Sequence, residues 1–136
     1  MKYYFAALKK YAVFQGRATR AEYWWFFLVC CLLLIVGLVL DEALGFPLEG
    51  EIQPVTLLIV VAHILPILAI QTRRLHDTGK SGWWQLISFV PLGSIVLLVF
   101  YATASEQKDN QYGPLKGGAL QTAPTPGTQL KVPGQT

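Results

Sequence analysis

Three long runs without Asp, Glu, Lys or Arg constrain this chain more than any other feature. They span residues 23–40, 52–72 and 83–103. A helix of about 20 apolar residues crosses a hydrocarbon core roughly 30 Å thick, and in lipid each segment must satisfy its own backbone hydrogen bonds. Charged residues make up only 14% of the chain, against about a quarter in a soluble domain. The sequence therefore predicts an all-α membrane protein with three transmembrane helices.

Local signals mark the ends of these runs. Thr19 and Glu22 have the spacing of a capping box before the first run. Pro54 suits the first turn of the second helix, and Ser81 could cap the third. Indole rings prefer the level of the lipid headgroups, and two pairs of tryptophans begin the first and third runs: Trp24, Trp25, Trp83 and Trp84.

Lys and Arg predict the orientation, because cytoplasmic loops are enriched in them. Residues 1–22 contain five, the 73–82 loop contains three, and the acidic 41–53 loop contains none. We therefore expect the N-terminus and the 73–82 loop in the cytoplasm and the 41–53 loop outside. Three crossings would place the C-terminus outside too. Pro91 and Gly93 interrupt the third run, however, and a re-entrant hairpin there would return the tail to the cytoplasm.

The segments outside the runs divide the chain into three parts. Residues 1–22 form a basic segment whose first part, residues 2–12, is predicted to be a short amphipathic helix in the membrane surface. The alternative is a cytoplasmic helix packed on the 73–82 loop. Residues 23–104 form the membrane domain, and residues 105–136 a polar, largely disordered tail, with disorder expected after about Lys116.

Polar residues concentrate in the 73–82 loop. Arg73 and Asp77 are four residues apart and could pair on a continuing helix. Paired arginines beside a flexible turn could bind a phosphate, which in this place belongs to a lipid. Membrane topology alone would also supply such arginines. The loop's other members of the predicted site are Arg74, His76 and Lys80, with Gly79 and Gly82 providing the turn.

A second polar cluster lies at residues 14–24. Gly16 is expected to end the surface helix, and Thr19 to start the first crossing. Charges beside lipid are costly unless they are paired. We therefore expect the two clusters to face each other, with Glu22 and Asp77 balancing some of four arginines: Arg17, Arg20, Arg73 and Arg74.

Other candidate groups carry weaker signals. His63 lies within the second run, where an ionisable group is a functional candidate, although a neutral histidine bonded to a neighbouring helix is a structural alternative. Cys30 and Cys31 are adjacent in one helix and are expected to be apolar filler rather than a disulfide or metal site. No nucleotide-binding or hydrolase motif is present, and no cofactor or metal is expected.

Three segments of this sequence form a recognisable pattern around the apolar runs: YAVFQGRATRAEYW at residues 11–24, RRLHDTGKSGWW at residues 73–84 and NQYGP at residues 110–114. Together they resemble the DUF805 family of small bacterial inner-membrane proteins. The family pattern has more arginine than this chain, where Thr19 and Ala21 stand. The resemblance implies an inner-membrane location and marks the motif positions as functional or structural sites, but it implies no activity, cofactor or catalytic residue. Those positions are Gly16, Glu22, Tyr23, Trp24, Gly79, Gly82, Trp83, Trp84, Tyr112, Gly113 and Pro114.

These observations favour a non-enzymatic membrane protein whose cytoplasmic arginine-rich face binds anionic lipid headgroups or a partner protein. Two alternatives remain open. One is a subunit of an oligomeric transporter or channel, since three helices rarely enclose a pore alone. The other is a membrane enzyme acting on lipid, with His76 and Asp77 as acid and base. Nucleic acid is not an expected partner, because the cations lie at membrane edges.

Overall fold

The structure, a computed structural model, describes residues 2–46 and 52–116. These residues form α1 (Lys2–Lys9), α2 (Arg20–Ala43), α3 (Pro54–Asp77), a 3₁₀ helix (Gly82–Phe89) and α4 (Gly93–Ala102). They contain no strand, and a single bridge pairs Asn110 with Gly113. The predicted all-α class is therefore confirmed. The expected disorder after Lys116 falls outside the described residues.

The two long helices α2 and α3 contain 24 residues each and are long and apolar enough to cross a membrane. Most of their large apolar side chains face outward; Leu32, Val39 and Leu58 are 53%, 63% and 70% exposed. A soluble protein would bury such side chains, whereas lipid solvates them. The first two predicted runs are therefore confirmed as helices suited to a membrane.

The starts of α2 and α3 follow their sequence signals. Thr19 and Glu22 form the predicted capping box, and Pro54 is the first residue of α3. The side chain of Gln53, which precedes Pro54, makes no capping hydrogen bond. Instead, the buried carboxylate of Asp41 from the end of α2 accepts hydrogen bonds from the N–H groups of Val55 and Thr56, both at 2.8 Å. Asp41 thus caps α3 from a neighbouring helix.

The third run is not one helix, so this prediction is corrected. A 3₁₀ helix covers Gly82–Phe89, a turn follows, and α4 covers only Gly93–Ala102. Ten residues of α-helix rise about 15 Å, half of a hydrocarbon core. The predicted count of three crossings is therefore not confirmed.

The two halves of the third run fold back on each other as a hairpin. Lys80, before the first half, places its ammonium 4.7 Å from the ring centroid of Phe100 near the end of the second. Trp84 meets the same ring edge-on at 5.4 Å. A straight helix would hold residues 84 and 100 about 24 Å apart. Residues 103–116 therefore return to the end of the bundle that carries the 73–82 loop.

Gly93 permits the tight turn of the hairpin. A β-carbon at this position would lie 1.7 Å from the carbonyl oxygen of Ile87, far inside van der Waals contact. Leu92, just before it, adopts a positive φ of 66°, which costs a non-glycine residue free energy. Pro91 and Gly93 mark this break in the sequence, but sequence alone did not decide between a kinked crossing and a hairpin.

The N-terminal helix α1 packs mainly on α2. Ala7 is buried, and the ring of Tyr4 stacks on Phe26 with centroids 5.5 Å apart. The Tyr4 hydroxyl also lies 2.9 Å from Nε2 of His63 in α3. The predicted amphipathic helix is present, although it ends at Lys9. Its position in the membrane surface stays a prediction.

Candidate functional site

The two polar clusters meet at one end of the helix bundle, as the sequence predicts. Gly16 takes a positive φ of 85°, which reverses the chain after α1. The N–H of Ala18 then donates to the carbonyl oxygen of Arg73 at 2.9 Å. This backbone bond aligns the start of α2 with the end of α3. Side chains of Arg17 and of residues 73–77 are thereby brought within hydrogen-bonding distance.

Asp77 is the centre of this assembly and is fully buried. Its Oδ1 accepts a hydrogen bond from Nε of Arg17 at 2.9 Å. Its Oδ2 accepts hydrogen bonds from Arg74 and from the Ser105 hydroxyl. One carboxylate therefore links α3, the segment before α2 and the segment after α4. A buried charge shared in this way is stabilising only while every partner is present.

The two arginines on Asp77 are also bonded to backbone carbonyls. Arg17 donates to the carbonyl oxygens of Asp77, Glu106 and Lys108. Arg74 donates to those of Ala18, Tyr101 and Thr103. Arg17 is 2% exposed and Arg74 is 0% exposed. Four of the five N–H groups of each guanidinium are thus engaged inside the protein, which leaves these two arginines little capacity for an external phosphate.

Residues 105–116, which composition assigned to the tail, cover the cluster. The Glu106 N–H donates to the Asp77 carbonyl at 2.8 Å. The Asn110 amide donates to the His76 carbonyl at 2.9 Å and to the Glu106 carboxylate at 3.0 Å. That bond from Asn110 is the main reason that the pKa of Glu106 lies below its usual range. Residues 105–116 therefore have a structural role, as a cap over the end of α3.

His76 lies beneath this cap. The ring of Tyr112 lies parallel to its imidazole with centroids 3.7 Å apart, and His76 Nδ1 lies 3.2 Å from the carbonyl oxygen of Gly16. His76 is only 9% exposed. An acid–base pair of His76 and Asp77 would need a path for substrate, and Tyr112 and two arginines occupy the space around the pair. The structure offers no support for the catalytic alternative.

The backbone of the loop favours glycine at Gly79, and Gly82 lies close to a neighbouring helix. Gly79 has a φ of 75°, and a β-carbon there would lie 2.7 Å from the Glu106 carboxylate. A β-carbon at Gly82 would lie 2.6 Å from Cγ2 of Thr72 in α3. These two glycines let the chain turn under the tail and start the 3₁₀ helix against α3.

The remaining cations of the predicted site behave differently. Arg20 is exposed and donates to the Thr103 carbonyl at 3.1 Å. The predicted Arg73–Asp77 pair is wrong, because Arg73 donates through Nε to the Ala69 carbonyl at 3.2 Å and points away from Asp77. Glu22 pairs with Lys116 at 3.1 Å rather than with an arginine. Only Asp77 of the two predicted counter-ions therefore binds arginine directly.

Arg73 carries the one buried guanidinium nitrogen, within the described ranges 2–46 and 52–116, that lacks a hydrogen-bond partner. The residue is 4% exposed, and its Nη2 is the unpartnered atom. Arg73 lines a cavity of about 30 Å³ together with Lys10 and Glu22. A space of this size holds about one water molecule or one oxygen of a larger anion.

His63 is held by two protein contacts. Its Nδ1 lies 2.8 Å from the Ile59 carbonyl and its Nε2 lies 2.9 Å from the Tyr4 hydroxyl. Both ring nitrogens are therefore satisfied within the fold. Both cysteines are free, and the described part of the chain contains no group of three or more residues suited to hold a metal ion.

Sequence reasoning missed Asp41, Tyr101, Ser105 and Glu106 as contributors to this arrangement. The acidic residues of the 41–53 loop were interpreted through topology alone, so the capping role of Asp41 was not foreseen. Ser105 and Glu106 stand where the composition becomes polar. Their position directly before the NQYGP motif was the available signal that the chain stays ordered there.

Comparisons with known proteins identify the family of this chain. The family model for DUF805, described as proteins of unknown function, matches residues 11–114. The inner membrane protein YhaI of Escherichia coli (strain K12) is 42% identical over 114 residues, which cover 83% of this chain and 93% of YhaI. The inner membrane protein YhaH of the same strain is 39% identical over 115 residues, covering 84% and 95%. No solved structure matches the chain.

The matched region contains every element from the turn before α2 to the cap over His76. It includes the three segments on which the resemblance was based, so the predicted family is confirmed. The relatives' inner-membrane location agrees with the outward-facing apolar helices α2 and α3. This chain is a membrane protein and belongs to the DUF805 family.

Proposed function

We propose that this protein is a non-enzymatic component of the inner membrane that binds the phosphate of anionic lipid headgroups at Arg73, on its cytoplasmic face. The observation that carries the proposal is the buried, unpartnered Nη2 of Arg73 beside a small cavity. A buried guanidinium without a partner costs free energy, because desolvation is not repaid. A bound anion would recover that cost.

The proposal includes a topology of two crossings and one re-entrant hairpin. The Lys and Arg distribution favours a cytoplasmic position for residues 1–22 and for the 73–82 loop. Hydrogen bonds from Arg74 and Arg17 hold residues 101–108 against that loop. In this topology residues 103–116 are cytoplasmic, and only the 41–53 loop is outside.

Arg73 is favoured over the other predicted arginines because, although its Nε donates to the Ala69 carbonyl, its buried Nη2 has no partner within the described residues. Arg17 and Arg74 are already hydrogen-bonded to Asp77 and to backbone carbonyl groups. Arg20 is exposed, where a single cation attracts anions only weakly. Of the four arginines predicted to bind phosphate, we therefore retain Arg73, with Lys10 as a second cation beside the cavity.

The charges around the cavity favour an anion. Arg73, Lys10 and Lys116 are cations and Glu22 is the single carboxylate among these neighbours. Glu22 is itself bonded to Lys116 at 3.1 Å and to the Thr19 N–H at 2.8 Å. A cavity of about 30 Å³ admits one phosphate oxygen, with the rest of the headgroup outside. Guanidinium bonds to phosphate are charge-assisted and short.

Native mass spectrometry of the detergent-released full chain tests this proposal. The protein is mixed with equal amounts of phosphatidylglycerol and phosphatidylcholine of matched chain length. We expect preferential retention of phosphatidylglycerol, and a roughly tenfold loss of that preference in Arg73→Gln, since one charge-assisted hydrogen bond is removed. The exposed Lys10→Gln variant should lose part of the preference, and added salt should weaken it.

Lys108→Gln is the matched control, because the Lys108 side chain is 76% exposed on the same face and does not line the cavity. It should retain phosphatidylglycerol as the natural sequence does. An unchanged preference in Arg73→Gln would contradict the proposal. Displacement of the lipid by an equal concentration of inorganic phosphate would identify a free anion as the ligand instead.

A further inference from the structure

A second cavity, of about 430 Å³, lies between α3 and the hairpin of the 3₁₀ helix and α4. Cavities of this size accommodate small organic molecules. The polar side chains that line it come from all four neighbouring segments: Tyr23, Gln71, Gln85, Ser88, Ser94 and Tyr101. It is separate from the Arg73 cavity, with which it shares no lining residue.

Tyr101 lines this cavity and carries a buried polar atom without a protein partner among the residues that the structure describes. Tyr101 is 4% exposed, and within the described part of the chain its hydroxyl has no hydrogen-bond partner. A buried hydroxyl normally finds an acceptor, and a hydroxyl without one destabilises the fold because its desolvation is not compensated. Tyr23 lies beside it, with ring centroids 4.7 Å apart, and forms an aromatic wall. The site therefore combines a hydrogen-bond donor with a neighbouring aromatic side chain.

The charge of the lining limits the chemistry of the ligand. No Lys, Arg, His, Asp or Glu is among the lining residues that the structure describes. A charged molecule would be desolvated there without a counter-ion. An uncharged molecule that carries an oxygen acceptor, such as a carbonyl group, would satisfy Tyr101 at no such cost.

The open side of the cavity indicates where the ligand comes from. Phe89, Leu86 and Leu98 line the cavity and are 85%, 54% and 50% exposed. In a membrane these side chains face lipid. Irregular backbone at membrane depth is tolerated where it lines such a cavity, and the hairpin turn between the 3₁₀ helix and α4 supplies it.

We infer that this cavity binds a neutral, membrane-dissolved molecule with a carbonyl-bearing headgroup, and that the Tyr101 hydroxyl donates a hydrogen bond to the carbonyl oxygen. The neighbouring aromatic rings of Tyr23 and Tyr101 favour a ring-shaped headgroup. The inference is independent of the anion site, because it depends on neither Arg73 nor Lys10.

Radiolabelled ubiquinone-1, a neutral ring with carbonyl groups and a short apolar tail, is the probe for this site. Binding is measured by scintillation proximity to the full chain in phosphatidylcholine nanodiscs. We expect saturable binding that becomes about five- to tenfold weaker in Tyr101→Phe, which removes only the hydroxyl. Tyr11→Phe is the control, because Tyr11 is 55% exposed and lies outside the cavity; it should bind as the natural sequence does.

A second variant separates the cavity from the fold. Ser94→Leu places a larger apolar side chain at the cavity wall and should abolish binding. Because Ser94 is exposed, the fold should accommodate this substitution. Without the probe, Tyr101→Phe should unfold at the same or a slightly higher denaturant concentration, since its hydroxyl has no protein partner. Absence of saturable binding, or equal affinity in Tyr101→Phe, would overturn the inference and leave a water-filled cavity.

Discussion

Asp77 shows at the scale of one residue how this membrane protein tolerates buried charge. Its carboxylate receives Arg17, Arg74 and Ser105 from three different segments. Two guanidinium groups at 2% and 0% exposure would be costly in lipid without it. The same carboxylate that neutralises the arginines therefore also fixes where the chain enters α2 and leaves α4.

Asp77→Asn should destabilise the protein by about 3–5 kcal/mol, because it leaves two buried cations without a counter-ion. The free energy of unfolding is measured by titration with sodium dodecyl sulfate in mixed micelles. Glu42→Gln is the matched control: it removes one negative charge from an exposed position and should change stability by less than about 0.5 kcal/mol. Equal stability of the two variants would contradict the central role of Asp77.

The sequence predicted the meeting of the clusters but not the partners within them. The cost of an unpaired charge in lipid correctly predicted that the two clusters meet, but it did not single out Arg17 as the partner of Asp77, 60 residues away. The choice between Arg73 and Arg74 depends on the direction in which each side chain leaves α3. That direction is set by packing against Ala18 and Tyr101, whose positions the local sequence does not encode.

At the scale of elements, the third run shows that its fold depends both on its own residues and on contacts with distant residues. Its residues are as apolar as those of α2, so hydropathy alone predicts a crossing. The hairpin forms because Gly93 permits a turn that no side chain could enter, and because Arg74 binds the carbonyls of Tyr101 and Thr103. Only the first of these reasons is visible in a single sequence.

Gly93→Ala should destabilise the hairpin by about 3 kcal/mol, since a methyl group would collide with the Ile87 carbonyl 1.7 Å away and must push the turn open. The same detergent titration measures the loss. Ser94→Ala introduces the same residue one position later, where no such contact exists, and should stay within about 0.5 kcal/mol. A Gly93→Ala protein as stable as Ser94→Ala would argue for an extended third helix.

Asp41→Ala should cost about 1–2 kcal/mol, because the N–H groups of Val55 and Thr56 lose their acceptor at the start of α3. The unfolding titration again provides the value. Its neighbour Glu42 is exposed, and Glu42→Ala should leave stability nearly unchanged. If both variants lose the same amount, the effect comes from net charge in the 41–53 loop and not from the cap.

At the scale of the whole molecule, the polar groups gather at one end of the bundle. The start of α2, the end of α3, the 73–82 loop and residues 103–116 are joined there by hydrogen bonds. The opposite end holds Asp41 and the start of α3. Composition and charge predicted, for residues 1–104, that the polar groups would gather at one end of the bundle. They missed that residues 105–116 pack over His76, because a short polar segment carries no hydrophobic periodicity.

Single-cysteine labelling tests the central claim that the third run is a hairpin which returns the chain to its starting side. Cys30 and Cys31 are first replaced by alanine, and Gln15→Cys, Glu42→Cys or Gln111→Cys is then introduced at an exposed position. Intact spheroplasts are treated with a membrane-impermeant maleimide before and after lysis. We expect Glu42→Cys to react in intact spheroplasts, and Gln15→Cys and Gln111→Cys to react only after lysis. Labelling of Gln111→Cys in intact spheroplasts alongside Glu42→Cys would establish three crossings and contradict the hairpin.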